Sequence, residues 1–183
     1  MIYNFRIVSD EIDNFKREIK IDADATFLDF KNAICDSVSF DKNQMSSFFL
    51  CEDNWEKIRE ITLEDMGSDS AEEIFLMEDT IISDHVDDIG QRLIFTYDYL
   101  TDRSFFIELK EIITGKTLKD PLCTLSIGNP PPQNIDIDEF EKKVDSKATA
   151  LSADDFDEEF YGNDAYNDDE FDGAGFDEMK FED

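Results

Sequence analysis

Hydrophobic and polar positions alternate from Ile2 to Val8, which predicts a strand with one buried face. A second alternation follows. Phe15, Arg17, Ile19 and Ile21 interleave with Lys16, Glu18, Lys20 and Asp22, predicting a second strand. The period then changes: Phe27, Phe30, Ile34 and Val38 recur every three or four residues, one face of a helix. Thr26 starts that helix, with Asp29 in the N3 position of a capping box. Ser47 to Cys51 reads as a short apolar strand. A short apolar helix is expected around Thr80 to Val86, and two long strands over Arg92 to Asp98 and Ser104 to Ile113.

This order predicts an α+β class: a β-grasp-like mixed sheet with one main helix, followed by a disordered acidic tail. Residues 1–118 are expected to be the folded domain. Residues 119–134 read as a Pro-rich linker, because Gly128-Asn129-Pro130-Pro131-Pro132 stops a helix or a central strand. Residues 135–147 predict a short amphipathic helix, with Ile135, Ile137, Phe140 and Val144 near one face. Residues 148–183 are expected to be disordered. After Leu151 they hold no Leu, Ile or Val, too little apolar surface to offset the entropy of ordering.

Composition sharpens the picture. The 183 residues carry 47 acids against 17 bases, a formal net charge of −30, and the hydrophobic 40% is enough to build a core. The charge excludes unaided binding to nucleic-acid phosphates and to an anionic membrane surface. Its density is uneven: residues 134–183 hold 19 acids and 4 bases, and residues 52–88 hold 14 acids and 2 bases. The N-terminus shows no basic region followed by an apolar stretch, and the longest apolar runs are far short of a membrane span. Cys35, Cys51 and Cys123 lie 16 and 72 residues apart, which suits reduced thiols and a cytoplasmic protein better than a disulfide framework.

Little of the chemistry points to catalysis. His85 is the sole histidine, so a Ser-His or Cys-His pair would have to use it, and it sits among carboxylates in Ser83-Asp84-His85-Val86-Asp87-Asp88. The cysteines are too dispersed for zinc. Asp168-Asp169-Glu170-Phe171-Asp172-Gly173 partly fits a calcium loop, but its twelfth position is Met179 rather than a bidentate Glu. Gly115-Lys116-Thr117 lacks the glycine a phosphate loop needs at position 110, where Lys stands, so a turn is the simpler account. No catalytic residue, metal or cofactor is expected, and the protein reads as a non-enzyme.

Two stretches resemble a known family. Tyr97-Asp98-Tyr99-Leu100-Thr101-Asp102-Arg103-Ser104-Phe105-Phe106-Ile107-Glu108-Leu109 is similar to a Tyr-Asp-Phe-Gly-Asp-x-Trp-x-His-x-Ile-x-Leu strand pair. Thr26 to Phe48 resembles the helix, turn and strand that precede it. Both patterns are those of the plasmid pRiA4b ORF-3-like family of mobile-element passenger proteins, which the chain resembles over roughly residues 1–133. The family's Gly falls on Leu100, its Trp on Arg103 and its His on Phe105. In the helix its His and Gln fall on Lys31 and Cys35, and a further His falls on Gln44. Its Pro- and Gly-rich motif survives as Cys123 to Pro132. The resemblance therefore implies a shared scaffold without those polar residues. It implies no reaction, and an association with recombinases and transposons.

The tail carries the most pointed signal. From Leu151 onward there are 14 acids and one base, Lys180. Phe156, Tyr161, Tyr166, Phe171, Phe176 and Phe181 recur every five residues, with Phe160 as an extra. A period of five matches neither a helix nor a strand. It leaves spaced rings on an acidic string, and these six are the expected partner-binding residues. The expected partner is a basic protein, such as one that handles nucleic acid, steered by charge and anchored by rings. The bland account is a solubilising tail. The alternative function is a mobile-element accessory protein acting through its folded domain on a recombinase or its DNA. The sequence does not fix an oligomeric state.

Overall fold

β1 (Ile2–Ser9) and β2 (Lys16–Asp22) pair as an antiparallel hairpin from Ile2↔Asp22 to Val8↔Lys16, as their alternation predicts. The structure, a computed structural model, describes residues 1–65, 67 and 74–135. Tyr3, Phe5, Ile7, Ile19 and Ile21 all point to one side of the hairpin and are buried. The helix α1 (Phe27–Val38) covers that side with Phe27, Phe30, Ile34 and Val38. Its capping box is complete: Thr26 Oγ1 accepts the Asp29 N–H at 3.2 Å, and the Asp29 carboxylate accepts the Thr26 N–H at 3.1 Å.

The remaining elements are β3 (Ser47–Cys51), β4 (Lys57–Thr62), β5 (Phe75–Leu76), a 3-10 turn (Ile82–Asp84), β6 (Arg92–Asp98), β7 (Arg103–Ile113) and β8 (Leu122–Ile127). The eight strands form one sheet in the order β5-β4-β3-β6-β7-β1-β2-β8. Every ladder is antiparallel except β4 with β5. The architecture is α+β, a mixed sheet with one helix on one face. Phe48, Phe95, Phe105, Ile107 and Leu109 carry the core across the sheet beneath α1. Among the described residues no helix is long and apolar enough to cross a membrane.

Three sequence expectations need correction. Residues 119–134 are not a linker: they contain β8, which pairs with β2 from Lys16↔Ile127 to Lys20↔Leu122, so the compact unit runs over Met1–Ile135 rather than ending at 118. β8 draws its hydrogen bonds from a strand some hundred residues earlier, which no local pattern reports. The proline run follows the strand and packs down, with Pro131 buried and the Gln133 amide bonded to both the N–H and the carbonyl of Asp41. Gly128 makes this possible. Its φ is +69°, and an added Cβ would stand 2.6 Å from the Asn14 carbonyl oxygen.

The helix expected over Thr80 to Val86 shrinks to the 3-10 turn Ile82–Asp84. The N–H groups of Ile82 and Ser83 bond to the carbonyls of Ala25 and Ala23, which straps the segment across the start of α1. The sequence pattern did not predict β4 within the acid-rich stretch, because, of its six residues, Ile61 alone is fully buried. The helix expected over 135–147 lies outside the described residues apart from Ile135. The tail expected over 148–183 lies wholly outside them.

Candidate functional site

Five of the six positions where the family pattern is replaced come together at one end of the core. Lys31 and Cys35 are one turn apart on the inner face of α1, and both are buried. The Cys35 carbonyl accepts the Phe40 N–H at 3.0 Å. The Phe40 ring stands 5.1 Å from Tyr97 and 5.8 Å from Phe105, which itself stacks on Phe15 at 5.1 Å. Gln44 Nε2 donates to the Tyr97 carbonyl at 3.2 Å. The Arg103 guanidinium lies 5.3 Å above the Tyr97 ring. The sixth position, Leu100, sits apart on the β6–β7 turn and is 84% exposed.

The charged and polar groups of this end bond to one another. Arg103 binds Glu11 through Nε and Nη2, each at 2.8 Å, and the Tyr97 hydroxyl donates to the same carboxylate at 2.8 Å. Burial and the Glu11 bond push the Tyr97 phenol far above its usual range, so it remains a donor. Burial works against the Arg103 charge, but Glu11 and the surrounding groups outweigh it and raise the pKa. Burial raises the Cys35 thiol, although Lys31 pulls it the other way, so it remains a thiol. Burial lowers Lys31, whose Nζ donates to the Lys42 carbonyl. The polar groups here lock the end of α1 and the loop after it onto the sheet.

A second arrangement occupies the face of the sheet opposite α1. The β3–β4 hairpin turns with the Trp55 N–H on the Glu52 carbonyl at 2.9 Å, and Trp55 itself has φ +69°. This left-handed position normally takes Gly or Asn, and Trp occupies it at a cost. The conformation lays the indole edge-on to Phe106 at 5.1 Å, with the Arg92 guanidinium 5.0 Å above it. Beside them the Lys57 ammonium covers the Phe49 ring at 4.1 Å. The chain's single tryptophan, shortly after the strand pattern of Ser47 to Cys51, was the available sequence signal for this face.

Trp55→Gly provides a check. Gly relieves roughly 1–2 kcal/mol of left-handed strain, which offsets much of the lost ring packing. The expected net change is within about 1 kcal/mol, against about 3–5 for an ordinary buried Trp truncation. A urea midpoint that falls as far as for such a truncation would show that the turn is unstrained.

The expected partner-binding residues Phe156, Tyr161, Tyr166, Phe171, Phe176 and Phe181 lie outside the described residues, as does the calcium-like stretch from Asp168. His85 ends the 3-10 turn and packs on Phe75 at 5.2 Å and on Phe27 at 6.4 Å. Gly115 sits in a turn with φ +72°. All three cysteines are free, Cys35 and Cys51 buried and Cys123 exposed. Among the described residues no group of three or more His, Cys, Asp or Glu side chains converges as a metal site would.

A family model described as plasmid pRiA4b ORF-3-like protein matches residues 2–180. The crystal structure of a protein of unknown function from Methanosarcina mazei Go1 is similar at a TM-score of 0.58 and 18% identity, covering 85% of this chain and 92% of that one. At that identity the likeness speaks for the fold. Among curated proteins none matches.

Proposed function

This chain belongs to the plasmid pRiA4b ORF-3-like family, and on that scaffold we propose that it is a non-enzymatic, cytoplasmic interaction protein whose acidic, aromatic-spaced segment binds a basic protein partner. The observation that carries this is the unbroken five-residue period from Phe156 to Phe181 within a segment of 14 acids and one base. The folded unit supports the sign of the partner. Four of its cations have partners within the unit, Arg17 on backbone carbonyls, Lys31 on a carbonyl, Arg103 on Glu11 and Lys42 on Asp36, and residues 1–133 hold 28 acids against 13 bases. That leaves the acid excess facing outward. The same reading takes the segment as disordered when free. It takes the sheet as β-grasp-like in its hairpin-then-helix opening.

The test is retention from native lysate at low and moderate salt, using full-length protein and a full-length variant with all six aromatics changed to Ser. The expected result is a basic partner held by the first, released by salt, and lost by the second. Equal retention by both would leave only nonspecific charge attraction. The mobile-element reading, with a recombinase or its DNA as target, is favoured by one observation, the ring-and-cation cluster of Trp55, Phe106, Phe49, Arg92 and Lys57. A recombinase retained equally by both baits would move the function to the folded unit.

A further inference from the structure

β8 is the anomaly of this molecule. It is a sheet-edge strand, and edge strands in soluble proteins are ordinarily blunted by charge, proline or a bulge that turns them away. Here the six residues Leu122-Cys123-Thr124-Leu125-Ser126-Ile127 carry no charge, in a chain where 35% of residues do, and the neutral run extends from Pro121 to Ile135. Leu122, Leu125 and Ile127 register with Lys20, Glu18 and Lys16, so they project on the face opposite α1. Leu122 is 54% and Ile127 47% exposed. The outer side of the strand has no backbone partner among the described residues.

The strand is also anchored from beneath and flanked by lysines. Beneath it lies the buried Arg17, whose guanidinium donates to the carbonyls of Ile127 at 2.6 Å and Gly128 at 3.1 Å and has no carboxylate partner among the described residues. Lys16 and Lys20 flank it on β2 and form no ion pair among the described residues. Lys116 and Lys119 stand exposed in the approach to the strand. Two of the nearby carboxylates have partners. Glu18 faces Arg6 at 3.7 Å. Asp22 accepts the Leu118 N–H at 2.8 Å, which holds it below the usual carboxylate range. Asp29, Asp36 and Asp120 line a shallow depression with Cys123 on the α1 side.

We propose that the outer edge of β8 is a docking site for an extended peptide strand of a partner protein, apolar at its centre and acidic at its flanks, which adds to the sheet antiparallel to β8. Main-chain hydrogen bonds to the open edge supply affinity. Leu122, Leu125 and Ile127 receive the apolar centre, and Lys16, Lys20, Lys116 and Lys119 select acidic flanks. This site is separate from the aromatic segment proposed above, and its partner has the opposite charge.

The test titrates full-length protein into labelled Asp-Asp-Val-Thr-Val-Thr-Asp-Asp, with Lys-Lys-Val-Thr-Val-Thr-Lys-Lys as charge control and a Pro-for-Val version as backbone control. The acid-flanked peptide is expected to bind at least about tenfold more tightly than the lysine version, and the proline version not at all. Amide exchange at residues 122–127 slows when it binds. The double change Leu122→Asp with Ile127→Asp abolishes binding while the thermal midpoint holds, since both side chains are exposed. Lys16→Gln with Lys20→Gln flattens the salt dependence. Equal affinity for the two charge types, or binding of the proline version, overturns the proposal. So does a concentration-dependent dimer that protects 122–127 without peptide and is lost in the Asp variant, because the occupant would then be a second copy.

Discussion

Replacing Phe48 with Ala is expected to cost about 4 kcal/mol, a large share of the 5–15 kcal/mol that holds a domain of this size together. Phe48 is fully buried and is the ring through which helix and sheet meet. It stacks on Phe30 of α1 at 5.4 Å with the planes 7° apart, meets Phe27 at 5.3 Å, and reaches Phe95 of β6 at 4.7 Å. Phe30 in turn contacts Phe5 of β1 at 4.5 Å, so the cavity opens among β1, β3, β6 and α1 together. The expected readout is a drop of roughly 15 °C in the thermal midpoint. The control is the next residue. Phe49 points to the opposite face, half-buried under Lys57, so Phe49→Ala should cost about 1 kcal/mol. Equal losses would mean that the two faces of the sheet do not differ as described.

The contrast between Phe48 and Phe49 also shows what the sequence can and cannot report. Where one face of an element is fully buried, periodicity is a direct record of it. β1, β3, β6 and the capped start of α1 stand within a residue of where the alternation and the Thr26–Asp29 pair place them. β4 and β8 have no such record. β4 buries only Ile61 and β8 is exposed on both sides, so each is a strand because a neighbour pairs with it. The proline run biased the reading further, since proline forbids a central strand but not the residues after an edge strand.

The site was legible to a similar degree. The motif from Tyr97 to Leu109 located the strand pair and three of the replaced positions, and the structure sets Gln44, Arg103 and Phe105 directly against Tyr97. Their partner Glu11 was not visible in advance, because it lies in the β1–β2 loop, 86 residues from Tyr97. The division of labour on β2 was visible: the alternation that groups Arg17 with Phe15, Ile19 and Ile21 turns it inward and leaves Lys16 and Lys20 on the other face.

Arg17→Met is therefore expected to act on β8 before it acts on anything else. The guanidinium makes four bonds to carbonyls: Lys16 at 2.9 Å, Ser37 at 3.2 Å, Ile127 at 2.6 Å and Gly128 at 3.1 Å. Ser37 belongs to the last turn of α1, whose open carbonyls form the negative end of the helix dipole. The buried cation thus takes its compensation from backbone dipoles, with the Phe15 ring 4.6 Å away. Met keeps the apolar stem and removes every donor, so the carbonyls lose their partner in a dry setting. The expected loss is about 3 kcal/mol, while Lys16→Met on the outward face stays within about 0.5 kcal/mol. Burial lowers the Arg17 pKa, but a guanidinium stays charged across roughly pH 5 to 9, so the penalty is flat in that window. Amide exchange at residues 122–127 should accelerate at denaturant concentrations where β1, β6 and β7 are still protected. If exchange rises in all strands together, Arg17 is a general core residue. If it rises in β8 alone, the edge strand is a separately held element, and the acid-flanked peptide should lose its site in this variant while the rest of the sheet stays folded.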